Sequence, residues 1–168
     1  MIAFVLCASV CRDCLGRIGE TEAEVRKRYG EPLWERTEGE VVPVGADKFI
    51  YFEKNSIRVS VVLRRGKSVC EMYDFRDANG EQEPITDETN MKKVDGILEA
   101  NSQGHKWKRH VAAHMVLKGS RHVWERTDDG AAAIVWSNEP SVIEVTDTKW
   151  RLEANREEKT ANAGVEGF

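Results

Sequence analysis

Four histidines, His105, His110, His114 and His122, fall in one short stretch of the chain. His110 and His114 stand four residues apart, the spacing that sets two imidazoles on one helix face to hold a metal. Their surroundings argue against that chemistry. Lys106, Lys108, Arg109, Lys118 and Arg121 would repel a cation, and no acidic residue occurs between Gln103 and Val123 to complete a ligand set or orient an imidazole. The segment also reads as strand or loop, so no metal site is expected. What remains is electrostatic. Lys106, Trp107, Lys108, Arg109, His110, Lys118 and Arg121 form the one positive patch of a chain whose net charge is −4. These are the candidate binding residues. Their partner would be an acidic protein surface or an anionic envelope component such as a lipid headgroup. The histidines would add charge as pH falls through about 6.5. The alternative is a solvated strand edge that its lysines protect from pairing.

Catalytic patterns are missing from the rest of the chain. No serine stands in Gly-x-Ser-x-Gly, and there is neither a phosphate-cradling glycine loop nor His-Glu-x-x-His. Glu20, Glu22 and Glu24 cluster where a helix begins, and the helix dipole favours them there. An acid–base carboxylate needs a buried partner of shifted pKa, and nothing in the sequence marks one. The expectation is a non-catalytic binding module without a cofactor. The alternative is a hydrolase of unknown substrate, which a pocket holding a shifted carboxyl or histidine would favour. The negative net charge argues against a dedicated nucleic-acid binder.

Ile2 to Val10 is an apolar run ending in small residues, close to the core of a secretory signal, although nothing but Met1 precedes it to supply positive charge. The alternative is a buried N-terminal strand. Residues 1–14 are read as a signal segment, with the mature chain starting between Cys11 and Leu15, in the periplasm or outside the cell. Cys7, Cys11 and Cys14 lie in or beside this run, and only Cys70 lies in the body. Cys11-Arg12-Asp13-Cys14 has CxxC spacing, but no second CxxC completes a zinc site. Nor does it follow a strand at a helix start, as a redox motif would. Val10 is too bulky to precede a lipid-bearing Cys11. No run approaches the roughly 20 apolar residues of a membrane span.

The elements that must carry these residues are marked by helix stops and alternation. Thr21 and Glu24 form a capping box, Val25 and Tyr29 share a face one turn apart, and Gly30 and Pro32 end the helix. Lys48 to Glu53, Ile57 to Arg64 and Ser68 to Phe75 then read as strands. Ile57, Val59, Val61 and Leu63 alternate with Arg58, Ser60 and Arg64, leaving Val62 as the exception. After the Asp77-Ala78-Asn79-Gly80 turn, Thr86 or Asp87 can cap a helix with Met91, Val94 and Leu98 on one face. Strands are expected at Ala112 to Leu117, His122 to Arg126, Ala131 to Trp136 and Val142 to Thr148. The expected fold is α+β. Two tandem helix-plus-antiparallel-meander units, residues 15–80 and 81–152, form two sheets or one continuous sheet with both helices packed on one face. Residues 153–168 read as a loose tail. Trp34 follows the first helix as Trp107 follows the second. Of the five tryptophans, most should be core and one or two interface anchors.

Gly19, Thr21, Glu24 and Val25 ahead of Gly30 and Pro32 resemble BamE/SmpA-like small α/β modules. Those occur as lipoproteins of bacterial outer-membrane assembly and, in tandem, in the β-lactamase-inhibitor-protein fold. Leu15-Gly16-Arg17-Ile18-Gly19 and Leu98-Glu99-Ala100-Asn101 are also similar to an uncharacterised group of exported bacterial proteins, a likeness spanning residues 15 to 150. The resemblance implies a fold and export, and carries no activity.

Overall fold

A period of two in the apolar residues builds most of this molecule. The computed structural model describes residues 17–37, 40, 42–86, 89–110, 119–136 and 142–163. In β3 (Ile57–Arg64), Ile57, Val59, Val61 and Leu63 are buried on one face, while Arg58, Ser60 and Arg64 lie half-buried on the other. Val62, which breaks the alternation, is buried as well, because it sits between Phe49 and Cys70 on that second face. The other strands are β1 (Trp34–Thr37), β2 (Lys48–Lys54), β4 (Lys67–Phe75), β5 (Trp107–Arg109), β6 (Ser120–Arg126), β7 (Ala131–Trp136) and β8 (Ile143–Asp147). They form one eight-stranded antiparallel sheet in the order β1-β2-β3-β4-β8-β7-β6-β5.

Among the described residues three helices accompany the sheet: α1 (Glu22–Tyr29), α2 (Met91–Ala100) and α3 (Thr148–Ala163). Val25 and Tyr29 of α1 and Val94, Ile97 and Leu98 of α2 join one core with Phe52, Val59, Tyr73, Phe75, Ala133, Val135 and Val145. Strand parity puts α3 against the opposite face. There Arg151 binds Glu144 of β8 and Glu153 binds Arg64 of β3, and both strand residues alternate away from the core. Burial of this order, at about 25 cal/mol per Å² of apolar surface, is the main favourable term holding the layers.

The capping box of α1 is present: the Glu24 N–H donates to Thr21 Oγ1 at 3.4 Å and the Thr21 N–H donates to Glu24 Oε2 at 2.8 Å. α2 starts differently. Thr86, one of its expected caps, accepts from the Thr89 N–H at 3.0 Å, and the residue before the helix is Asn90, at φ 60° with no side-chain capping bond. Asp87, the other expected cap, lies outside the described residues.

The expected architecture needs correction. The chain is not two tandem helix-plus-meander units; among the described residues it is mostly one eight-stranded antiparallel sheet with three short helices. A separate unit ending at β4 or β8 would leave that strand's backbone groups unpaired along a long edge. Pairing Cys70 with Thr146 and Tyr73 with Ile143 removes both edges at once. The stretch expected to be a loose tail is helical as far as Ala163. Asp147 starts it, its Oδ1 accepting the Trp150 N–H at 2.8 Å. β1 and β5, four and three residues long, are too short for alternation to reveal. The strand expected at Ala112 to Leu117 and the segment 1–14, with Cys7, Cys11 and Cys14, lie outside the described residues.

Candidate binding surfaces

β5 carries the heart of the positive stretch, and pairing with β6 divides it between two faces. Trp107 stands opposite Arg126, Lys108 opposite Glu125 and Arg109 opposite Trp124. Trp107 and Arg109 therefore turn to the helix side, and Lys108 and His110 to the other. Trp107 packs against the core and donates its indole N–H to the Leu98 carbonyl at 2.6 Å. The Arg109 guanidinium lies 5.9 Å from the Trp124 ring centre and meets Nδ1 of the buried His122. Arg121 donates to the Ile85 carbonyl at 3.3 Å. Lys106 and Lys108 are exposed, while Lys118 and His114 lie outside the described residues.

The sequence holds no carboxylate beside these histidines, yet the sheet supplies them from neighbouring positions. His110 Nε2 lies 3.0 Å from Glu125 Oε2, and His105 Nε2 lies 3.7 Å from Asp128 Oδ2. Asp128 also receives both forks of the buried Arg126, at 2.7 and 2.9 Å. Those charge-assisted bonds hold its carboxyl down at about 2. Among the described residues no group of three or more His, Cys, Asp or Glu could hold a metal ion.

At the far edge of the sheet the pattern is aromatic. Trp34 in β1 is 42% exposed and stands opposite Tyr51, so the two share the face turned away from α1 and α2. Its ring stacks on Tyr51 with centres 5.2 Å apart and planes 16° off parallel, and on Phe49 at 5.4 Å and 30°. The Arg36 guanidinium sits 5.2 Å from the Trp34 ring. Leu33, just before it, is also exposed. The available signal was Phe49 and Tyr51 alternating with the buried Ile50 and Phe52; no sequence signal gives the parity of Trp34.

Beneath α1 lies a carboxyl that the sequence did not mark. Glu71 of β4 is fully buried, and its Oε2 accepts from the hydroxyls of Tyr73 and, at 3.1 Å, Tyr29. Its Oε1 has no hydrogen-bond partner among the described residues. Removal from water pushes its pKa up to about 7 against this bonding. Among the described residues, clefts of about 290 and 370 Å³ open elsewhere: one beside Ser102 and Gln103 after α2, one beside Trp150 of α3; Glu71 and the described histidines line neither.

No protein family, characterised protein or solved structure matches this chain.

Proposed function

We propose that this chain is a non-catalytic, secreted or envelope-associated binding module that acts through protein–protein contacts. One observation carries the reading: the exposed stack of Trp34 on Phe49 and Tyr51, flanked by Arg36, at an open sheet edge. Tryptophan, tyrosine and arginine are the residues that dominate binding energy at protein interfaces. Here they are held in place by the sheet, so little ordering entropy is lost when a partner covers them. Export rests on the apolar run Ile2 to Val10 and the small residues that end it. The exposed Lys106 and Lys108 would steer an acidic partner from a distance rather than anchor it.

The competing reading, a hydrolase, has Glu71 in its favour. Its raised pKa follows from burial under α1 and needs no substrate to explain it.

The test is capture of partners from an envelope extract by the full chain and by Trp34→Ala, beside N-terminal sequencing of the mature protein. A partner retained by the native chain and lost with Trp34→Ala supports the reading. Equal capture by both, or an intact Met1 on a cytosolic protein, would overturn it.

A further inference from the structure

The larger cleft, of about 370 Å³, lies where the turn between β3 and β4 approaches the first turns of α3. Its volume falls at the lower end of the range for small-ligand sites. Arg65, Lys67 and Lys149 contribute to its walls, and none of the three makes an ion pair among the described residues. Lys67 is close enough to Glu24 to favour that carboxylate's charge without bonding to it. A fourth cation, Arg64, is committed to Glu153 and Glu157 of α3. Of the two carboxylates in the lining, Glu153 is thus neutralised by Arg64 and Asp147 is occupied by the Trp150 N–H. The cleft holds surplus positive charge on a protein whose net charge is −4.

Trp150 adds an aromatic wall. Its ring lines the cleft, while its indole nitrogen is shut off from solvent and lies beside Gly45, which is not part of the lining. Asp147 already caps α3, so an anion here would be held by side chains rather than by the helix start.

We propose that this cleft binds a dianionic phosphate group, free or carried on a small organic molecule. Surplus charge beyond one unit favours a dianion over a carboxylate, and the guanidinium of Arg65 can bind two phosphate oxygens at once. Lys67 and Lys149 supply point charges on mobile stems, and Val69 with the Trp150 ring gives an apolar wall to any organic portion.

The experiment is a proton–nitrogen NMR titration of the full chain with inorganic phosphate and with phenyl phosphate, using sodium chloride at matched ionic strength as control. The Trp150 indole signal is assigned by its loss in Trp150→Phe. It should shift saturably with both phosphates, and more tightly with phenyl phosphate if the apolar wall takes part. Joint replacement Lys67→Glu and Lys149→Glu should weaken affinity by roughly tenfold or more, as loss of charge-assisted bonds requires. Both side chains are exposed, so the remaining spectrum should be unchanged. The milder pair Lys67→Ala and Lys149→Ala repeats the test if the reversals disturb folding. Shifts matching those from chloride, or equal affinity in a folded double variant, would overturn the proposal.

Discussion

The two edges of the sheet begin alike and end as opposites. β1 and β5 each follow a helix, open with a tryptophan and pair antiparallel with the next strand. Trp34 turns to the face away from α1 and α2, stacks on two rings and stays exposed, whereas Trp107 turns to the helix side and tucks its N–H against Leu98. A one-residue difference in parity moves a side chain to the other face of a sheet. The same residue type in the same place along the chain is exposed on the sheet in one case and packed against the core in the other.

The anchors under the helices differ too. α1 is tied to the sheet through Tyr29 and the titratable Glu71. α2 is tied through Asn101, which accepts the Ile18 N–H at 2.9 Å and whose carbonyl accepts from Arg126 at 2.9 Å. The first tie ends on a buried carboxyl whose charge is costly out of water. The second depends on a permanent cation clamped by Asp128.

The largest expected effect separates the two tryptophans. Trp107→Ala should cost about 3 kcal/mol, since it removes a half-buried ring packed against the core and strands the Leu98 carbonyl. Trp34→Ala should cost about 1 kcal/mol, the lost cross-strand stacking, while removing partner binding. Denaturant midpoints decide it: equal losses from both would erase the distinction between the edges.

pH should loosen the two anchors from opposite sides. The folded pKa of Glu71, about 7, lies above its ordinary 4.5, so the folded state holds the proton more tightly. Its contribution is full below about 4.5 and falls until pH passes about 7, a loss of about 3 kcal/mol. Glu71→Gln should flatten the stability–pH curve across that window, and amide exchange in α1 should rise there first. Asp128 works the other way: its carboxyl is depressed to about 2, so its stabilisation is present above its ordinary 3.8 and is lost as pH falls through about 2. A curve for Glu71→Gln that still fell between about 4.5 and about 7 would assign the sensitivity elsewhere.

The smallest effect concerns how the two helices start. Thr21→Ala should cost α1 about 1 kcal/mol, because it removes a working cap. Asn90→Gly should change stability by less than about 0.5 kcal/mol: Asn90 makes no cap bond, and its positive φ suits glycine. The bond from its side chain to the Pro84 carbonyl is forfeited, but it is exposed and water replaces it. Thermal unfolding of the two variants side by side measures the difference.

Much of the candidate site could not be read along the chain. The basic residues were visible from Lys106 to Arg121, but the acids that answer them, Glu125 and Asp128, arrive through the β5–β6 pairing. Glu71 looks like any strand carboxylate, and it leaves water only in the folded core, where the Tyr29 and Tyr73 hydroxyls meet it. The aromatic alternation of Phe49 and Tyr51 was legible in the sequence, yet its meaning depended on which face α1 and α2 would cover.

By itself the sequence determined what short-range physics can enforce. Thr21, Glu24 and Gly30 delimit α1 through bonds and backbone angles within a few residues, and the alternation in Ile57–Arg64 dictates a strand with one buried face. Tertiary structure decided everything that needed a distant partner: that β4 joins β8, pairing residues as far apart as Cys70 and Thr146, which face each tryptophan takes, and that the polar end beyond Asp147 becomes a helix. The physical reason is that the two kinds of information have different ranges. A cap or a period of two is satisfied by neighbours along the chain. An edge strand, a buried carboxyl or a polar helix is settled only when the unpaired groups of one region find those of another.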